Sequence, residues 1–398
     1  MKQSRFFSIF SVLLLVFTAS FLGQEATAQT RSTDIILGQT LTLTSKTFNR
    51  DVPVLVYVPN SYAAGSTRYP VLYVLNAYPF AFTCGTVELL AGNMEIPEMI
   101  VVGVPPFDRG YVPTPFEERG ESPTPTDLSI RFLKEELIPF IDNNYRTNAY
   151  RILYGHSVGG LFTMYTLFNY PDLFTAYLAG SPWFQSLDQY WLKNIEKMSK
   201  VRNLDNKFLH MTVGNQETKL IIDTYRELEK WMNAQSLGSL IWKSAWVEGD
   251  HGSMVGRVIY DGLMFFFNGW RIPQSEIMDG DIDKIDAHIK ASAAKWEKYG
   301  FDTSAIIPEQ QLNALGYFFI NRKDLDKAIK VLSYNIRRFP KSFNAHDSLG
   351  EAYMVKGDKE NAIKYYQLAV ELNPGDTDYA KRILQNSKAK LRELGVEK

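Results

Sequence analysis

The 398-residue sequence has a single cysteine, Cys84, and it has no excess of either charge. One cysteine cannot form an internal disulfide, and it leaves no thiolate pair for a structural metal site. We expect Cys84 to be a small core residue. The 43 basic residues are matched by 44 acidic ones, so no broad positive field is present. The composition therefore argues against a protein that binds nucleic acid or an anionic membrane surface.

Apolar runs long enough to span a bilayer are missing downstream of the N-terminus. At the N-terminus, Lys2 and Arg5 precede an apolar stretch, and an A-x-A pattern follows at Ala26 and Ala28. This order is typical of a secretory signal. The apolar stretch is short and interrupted by hydroxyl residues, whereas a spanning helix needs roughly 20 apolar residues. We expect residues 1–28 to be a cleaved signal peptide. The mature protein is then expected to be exported, either periplasmic or secreted, with no membrane span.

Short apolar runs rich in β-branched and aromatic residues alternate with helical patterns in the first two thirds of the chain. The runs are VPVLVYVP, YPVLYVL, MIVVGVP, YRILYG, AYLAG, FLHMTVG and LIWKSAWVEG. Several are apolar on both faces, which is typical of strands buried between two layers of helices. The alternation predicts an α/β domain with a mostly parallel sheet over residues 33–272. An earlier run, DIILGQTLTLTS, is close enough to VPVLVYVP to form an antiparallel edge with it.

One helical pattern, TDLSIRFLKEELIPFIDNNY, contains Pro139. Proline lacks an N–H group, and its ring clashes with the preceding turn of a helix. We therefore expect Pro139 to bend or shorten this helix.

Strand patterns stop near Trp270, and the rest of the chain has helical periodicity with an internal repeat of 34 residues. The residues that recur at this interval are Gly316 and Gly350, Ala328 and Ala362, and Pro340 and Pro374. This period is typical of a two-helix unit. Residues 343–376 resemble a tetratricopeptide repeat, and residues 309–342 form a weaker copy. We predict an all-α tail over residues 281–398, which gives a chain of this length its second domain.

Two repeats are fewer than the roughly three that an independent stack needs. We therefore expect a helix at about residues 282–299 and a C-terminal helix from Tyr379 to cap the pair. The tail is expected either to be a packing appendage that steadies the first domain or its dimer, or to bind a protein partner.

The segment RILYGHSVGGLFTMY places Ser157 at the centre of a G-x-S-x-G pattern that runs from Gly155 to Gly159. A strand pattern precedes it and a helical pattern follows it, which is the context of a nucleophile elbow. Glycines are needed there because strand and helix backbones approach closely. A serine hydroxyl is a poor nucleophile and needs a histidine base that is oriented by an acid.

Five histidines are available as the base. His156 lies within the elbow and is interpreted as packing support, and His210 occupies a strand interior. His288 and His346 belong to the helical tail. His251, in the segment WVEGDHGSM, follows the last predicted strand and lies between glycines. It can reach across the carboxyl ends of the strands, so we predict that it is the general base.

The acid is expected in the loop after the penultimate strand, because hydrolases with this elbow carry serine, acid and histidine in that order. The segment HMTVGNQETKL offers Glu217. Asp250 is an alternative, but neighbouring side chains in a loop usually diverge, and Asp250 directly precedes His251. Glu248 and Asp223 are weaker candidates.

A tetrahedral intermediate needs backbone donors for its oxyanion. The N–H of Val158, the residue after the nucleophile, is expected to be one donor. The other is expected from Ala77 or Tyr78, in the NAYPF segment that follows the third strand.

From about residue 51 to residue 270 the chain resembles the putative-esterase family of α/β hydrolases, which includes enterochelin-type siderophore esterases, feruloyl esterases and S-formylglutathione hydrolases. The matching segments are YPVLYVLNA, MIVVGV followed by DRGYVPTP, FLKEELIPFID, YRILYGHSVGGLFTMYTLFNYPDLFTAYLAGSPWF and GDHGSM. The resemblance implies the α/β-hydrolase fold, with Ser157 as nucleophile, His251 as base and Glu217 where an acid is usual. Many relatives carry Asp-Gly after the third strand, where this sequence has Asn76 and Ala77.

Trp183 and Phe184, in the GSPWF segment, are expected near the cleft, where aromatic side chains suit a catechol, a feruloyl group or a sugar face. They are equally compatible with the core. LDQYWLKNIEKM is expected to form a lid helix, and Arg109 could meet an anionic substrate or pair with a local carboxylate. This chemistry needs no metal or organic cofactor. The sequence thus predicts an exported serine esterase for a small-molecule ester, and the alternative is a non-catalytic scaffold that acts through its repeats.

Overall fold

The computed structural model describes residues 37–64, 66–107, 110–115, 118–198, 204–301 and 306–396. The predicted signal peptide and Arg109 lie outside these residues. None of the helices in the described ranges combines the length and the hydrophobicity that a bilayer-spanning helix requires.

One eight-stranded sheet forms the centre of the first domain, in the order β1-β2-β4-β3-β5-β6-β7-β8. The strands are β1 Gln39–Ser45, β2 Arg50–Tyr57, β3 Tyr69–Leu75, β4 Ile100–Val104, β5 Thr147–His156, β6 Ala176–Gly180, β7 Phe208–Gly214 and β8 Ile241–Val247. Strands β3 to β8 pair in parallel, while β1 and β2 form the antiparallel edge. The predicted mostly parallel sheet is therefore confirmed, and so is its edge.

Helices cover both faces of the sheet. They are α1 Phe80–Gly92, α2 Pro125–Arg131, α3 Ile138–Asn144, α4 Val158–Asn169, α5 Ser186–Lys193, α6 Ile195–Met198, α7 Lys219–Ala234 and α8 Val255–Phe266. Helices α1 and α8 pack on one face, and α2 to α7 pack on the other. Strands β3, β4, β6 and β7 are buried along their whole length, which explains why their sequences are apolar apart from His210 and Thr212 in β7. Cys84 is buried in α1, as expected.

The expected shortening of this helix at Pro139 is wrong, because the helical backbone continues through the proline to Asn144. The segment Phe132–Leu137 connects α2 to α3 as a wider π-helical turn directly before the proline. A π turn changes the hydrogen-bond partners of the preceding carbonyls. The helical segment thus accommodates the missing N–H of Pro139 and continues to Asn144.

Every regular element in the described residues that follow α8 is a helix. The helices are α9 Gln274–Asp279, α10 Ile282–Trp296, α11 Glu309–Asn321, α12 Leu325–Arg338, α13 Phe343–Lys356, α14 Lys359–Leu372 and α15 Asp378–Glu393, with a short 3₁₀ turn at Glu297–Tyr299. The predicted helical tail is confirmed. Ala328 and Ala362 are fully buried. A Cβ at Gly316 would lie 2.4 Å from Leu332, and one at Gly350 would lie 3.1 Å from Tyr366. The recurring small residues therefore let each helix pair approach closely.

The tail shares a hydrophobic core with the first domain. The ring of Tyr150, in β5, lies 5.9 Å from that of Trp296, 5.1 Å from Tyr299 and 5.6 Å from Phe301. Tyr150 lies in the amino-terminal half of β5, whereas the elbow follows the carboxyl end of the same strand. The strand rise places this junction roughly 20 Å from the elbow.

Candidate active site

Ser157 lies in a strained turn between β5 and α4. Its φ of 58° and ψ of −120° are unusual for a residue with a side chain. The Ser157 N–H donates to the carbonyl of Gly180 at 2.9 Å, and the Ser157 carbonyl accepts from Leu161 at 3.0 Å and from Trp183 at 2.9 Å. A strained conformation persists only where surrounding contacts determine it. These hydrogen bonds hold the serine in that conformation at the carboxyl edge of the sheet.

Two glycines of the elbow leave no room for a side chain. A Cβ at Gly155 would lie 2.1 Å from the carbonyl oxygen of Gly159, and one at Gly160 would lie 2.8 Å from the carbonyl oxygen of Gly180. Both contacts are with backbone atoms, which cannot move without shifting a strand or a helix. Steric exclusion by the neighbouring backbone therefore explains the glycines at these two positions.

His251 and Glu217 form a hydrogen-bonded pair. Nδ1 of His251 lies 2.9 Å from Oε1 of Glu217, and only 1% of the Glu217 side chain is exposed, against 37% for His251. A carboxylate accepts a hydrogen bond from Nδ1–H, which keeps the proton of a neutral imidazole on Nδ1 and leaves the lone pair on Nε2. This tautomer, assigned from the partner, is the one that a general base requires.

The other candidate acids have different partners. Asp250 is exposed and accepts hydrogen bonds from the N–H groups of Gly252 and Ser253 and from the Ser253 hydroxyl. The hydrogen bonds from Ser253, followed by that from Gly252, lower the pKa of Asp250. Asp223 pairs with Lys219 within α7, and Glu248 is exposed. Glu217 is thus the candidate acid that the structure brings to His251.

Two aromatic rings connect the elbow to the histidine. The ring of His156, the residue before Ser157, lies 4.6 Å from the ring of His251. Trp183, whose N–H binds the Ser157 carbonyl, has its ring 5.9 Å from that of His251 in an edge-on orientation. Ser157 and His251 therefore have neighbours in common. Burial, and secondarily the nearby His251, lowers the pKa of His156 to about 4, so His156 is neutral near pH 7.

The predicted oxyanion donors come from two adjacent segments. Val158 is the first residue of α4, where N–H groups have no partner within the helix. The loop after β3 lies against this end of α4, because a Cβ at Gly159 would be 3.8 Å from Nδ2 of Asn76. Asn76 and Ala77 have φ values of 66° and 49°. Both residues therefore have the left-handed backbone that glycine adopts most easily.

The predicted substrate-binding residues separate into different environments. Trp183 is half-buried beside His251, whereas Phe184 is 1% exposed and packs in the core. Phe184 therefore fits the core alternative. Tyr78 follows the oxyanion loop and is 88% exposed. Arg109 lies outside the described residues.

The segment expected to form a lid helix, residues 187–198, forms the two helices α5 and α6 with Asn194 between them. Residues Leu187 to Gln189, near the start of α5, have left-handed backbone conformations, and Nε1 of Trp191 donates to the carbonyl of Pro113 at 2.8 Å. A cavity of about 620 Å³ lies between the start of α5 and the segment after β4. Its lining is Val112, Pro113, Thr114, Pro115, Glu118, Pro125, Ser186 and Leu187.

Sequence reasoning missed one residue of the site. Ser181 directly follows β6, and its hydroxyl donates to Oε1 of Glu217 at 2.5 Å. Oγ of Ser181 also lies 3.3 Å from Nδ1 of His251. The only sequence signal for Ser181 is its place two residues before Trp183, at the carboxyl end of a buried strand.

Comparisons with known proteins identify the family of the first domain and the repeat of the tail. Residues 45–254 match the family described as Putative esterase, and residues 343–376 match the tetratricopeptide repeat. Ferri-bacillibactin esterase BesA of Bacillus subtilis (strain 168) is 24% identical over 198 residues, which are 44% of this chain and 68% of BesA. The siderophore enterobactin esterase of Emericella nidulans is 26% identical over 203 residues, which are 41% of this chain and 64% of that protein.

A crystal structure shows the same fold. The IroE-like serine hydrolase from Shewanella oneidensis has a TM-score of 0.60 and 22% sequence identity. The match covers 75% of this chain and 99% of that one. At this identity the likeness supports the fold alone.

Proposed function

Because the chain belongs to the Putative esterase family, we propose that it is an exported serine hydrolase of carboxylic esters of the siderophore, aryl or sugar type. The observation that carries this proposal is the Glu217–His251 pair beside the strained elbow. Relatives named as siderophore esterases support the first of these substrate types. A non-catalytic scaffold is less supported, because the serine, histidine and acid are all present.

In the proposed mechanism, Oγ of Ser157 attacks the ester carbonyl while Nε2 of His251 takes its proton. Glu217 holds the imidazole in the required tautomer and stabilises the imidazolium that forms. The imidazolium then protonates the leaving alcohol, and an acyl-enzyme remains on Ser157. Water, activated by the same imidazole, hydrolyses this intermediate.

The negative oxygen of each tetrahedral intermediate is assigned to the N–H of Val158 and to a second N–H from Ala77 or Tyr78. Both segments meet at the amino end of α4, where the helix dipole also favours negative charge. Loss of one such donor costs about 2.7–4 kcal/mol of transition-state stabilisation in other hydrolases. The groups required for this chemistry are all parts of the protein.

Trp183 and the cavity beside the start of α5 are the surfaces that we assign to the bulkier part of the ester. The half-buried indole of Trp183 lies directly beside the proposed base. The cavity volume of about 620 Å³ is within the usual range for small-molecule sites. Proline side chains in its lining make that wall stiff.

The test is a panel of esters that includes p-nitrophenyl acetate, feruloylated and acetylated sugars, and siderophore lactones. We expect the wild-type protein to hydrolyse at least one class and Ser157→Ala to abolish that hydrolysis. Mass spectrometry should find the acyl group on Ser157 when a slow substrate is used. Equal turnover by the variant and the wild type would refute the proposed mechanism.

Export is proposed from the sequence of residues 1–28. N-terminal sequencing of the protein recovered outside the cytoplasm should begin at Gln29 if the A-x-A pattern is the cleavage site. A mature protein that keeps Met1 and stays in the cytoplasm would contradict export. For the tail, the core shared with Tyr150 favours the packing role over partner binding.

A further inference from the structure

Ser181 has a backbone conformation that is unfavourable for a residue with a side chain. It lies directly after β6 with a φ of 40°, and 1% of its surface is exposed. Its N–H donates to the carbonyl of Thr212 in β7 at 2.7 Å, so the strand pairing determines this backbone. Glycine adopts positive φ without strain, whereas serine does so at a cost. Because serine is present here despite this cost, we expect its hydroxyl to have a role.

The hydroxyl is directed at the acid. Oγ of Ser181 donates to Oε1 of Glu217 at 2.5 Å, and that same oxygen accepts from Nδ1 of His251 at 2.9 Å. Two donors from separate segments therefore converge on one carboxylate oxygen. Hydrogen bonds to a charged acceptor are shorter and stronger than neutral ones.

We propose that Ser181 is a positioning residue for hydrolysis: its hydroxyl fixes the Glu217 carboxylate, which in turn orients the imidazole of His251. This inference rests on the proposed function. A glutamate has one more rotatable bond than an aspartate, so its carboxylate needs an additional anchor to keep one direction. Ser181 provides that anchor from the neighbouring strand.

Ser181 acts on catalysis without touching the substrate, because it is buried beneath the pair that it positions. Removal of its hydroxyl should leave substrate binding intact and should reduce the fraction of molecules in which His251 is correctly oriented. The effect should therefore appear in kcat and not in KM.

Ser181→Ala and Ser181→Gly form the decisive pair of variants. Both remove the hydroxyl, and Ser181→Gly also removes the backbone strain. We expect both to lower kcat by about 10- to 100-fold with KM unchanged, which is the effect expected for one hydrogen bond to a charged group. Ser292→Ala is the matched control, because the Ser292 hydroxyl is buried in α10 and donates to the Gly269 carbonyl at 2.7 Å. It should leave kcat unchanged.

The downfield NMR signal of the Nδ1 proton of His251 provides a readout that does not depend on substrate. We expect it to shift in both Ser181 variants and to stay in place in Ser292→Ala. The proposal that Ser181 positions Glu217 would be refuted if Ser181→Gly kept the kcat of the wild type. It would also be refuted if the Nδ1 proton signal did not move in that variant. If the wild-type protein hydrolyses no ester, the proposed function fails, and the proton signal still decides whether Ser181 orients the pair.

Discussion

Oε1 of Glu217 lies 2.9 Å from Nδ1 of His251, although the two residues are 34 positions apart in the chain. Asp250, which directly precedes His251, faces away and accepts hydrogen bonds from its own loop. Parallel strands explain this arrangement. Glu217 follows β7 and His251 follows β8, and the two strands are adjacent, so their carboxyl ends bring both loops to one edge of the sheet.

Isosteric substitutions can therefore distinguish whether Glu217 or Asp250 is the acid that supports His251. We expect Glu217→Gln to lower kcat by about 10³- to 10⁴-fold, because an amide stabilises neither the required tautomer nor the imidazolium. Asp250→Asn keeps an acceptor for the Gly252 and Ser253 N–H groups, and it should retain most of the activity. Steady-state kinetics on the preferred ester checks both variants. A large loss in Asp250→Asn together with an active Glu217→Gln would reassign the acid.

Much of the fold could be predicted from local sequence because most of the buried strands are apolar on both faces. The wide turn before Pro139 could not, because a π turn depends on how the flanking residues pack rather than on the proline alone. The 34-residue repeat predicted the helix pairs of the tail. It did not predict that Trp296, Tyr299 and Phe301 complete the core around Tyr150, since that contact joins segments far apart in the chain.

The residues of the candidate site that could be predicted are those that a short sequence pattern marks. Ser157 lies in a motif whose glycines have a steric cause, and His251 could be selected because few histidines compete. Ser181 could not be identified, because its role depends on a left-handed backbone and on a side chain delivered by the neighbouring strand. Both features depend on tertiary structure, which the pattern of a single sequence does not reveal.

Glycine substitutions test the steric account of the elbow. Gly155→Ala would place Cβ 2.1 Å from the Gly159 carbonyl oxygen, so we expect destabilisation of at least about 3 kcal/mol or failure to fold. Gly85 is exposed in α1 with nothing near its potential Cβ, and Gly85→Ala should stabilise by about 0.5–1 kcal/mol. Urea unfolding of both variants measures the difference. Equal stability of the two variants would contradict the steric account.

His210 should make the domain sensitive to acid. It is fully buried in β7 with Nδ1 3.1 Å from the Thr212 hydroxyl. Burial, followed by the charge of Lys243, lowers its pKa to about 4, while Asp261 acts in the opposite direction. Between about pH 4 and 6.5 the unfolded chain binds a proton that the folded chain does not. The free energy of unfolding therefore falls as the pH is lowered through this window, by up to about 3 kcal/mol.

His210→Phe should reduce this pH dependence, because phenylalanine has no proton to bind in either state and can pack on the nearby Phe265 ring. We expect the free energy of unfolding, measured by urea unfolding from pH 7 down to pH 4, to fall less in the variant than in the wild type. His156, whose pKa is also lowered to about 4, should account for part of the slope that remains. Parallel curves would show that His210 does not contribute.

The shared core predicts that the first domain depends on the tail for its stability. Trp296 is fully buried and its ring lies 5.4 Å from that of Phe267 and 5.5 Å from that of Phe301. Trp296→Ala should cost about 3–5 kcal/mol of unfolding free energy, because it leaves a large cavity among aromatic rings. Trp246→Ala, at a position that is 40% exposed on β8, is the matched control and should cost much less.

Thermal unfolding followed through both near-UV and far-UV circular dichroism distinguishes a shared core from independent domains. If the core is shared, Trp296→Ala should lower the midpoint of a single transition that includes loss of the sheet, and esterase activity should disappear at the same temperature. Truncation after residue 272 should then yield protein that aggregates, because Tyr150 and Phe267 lose their cover. If the truncated chain instead stays monomeric with unchanged activity and midpoint, the tail does not stabilise the hydrolase, and a partner-binding role would become the better account of the repeats.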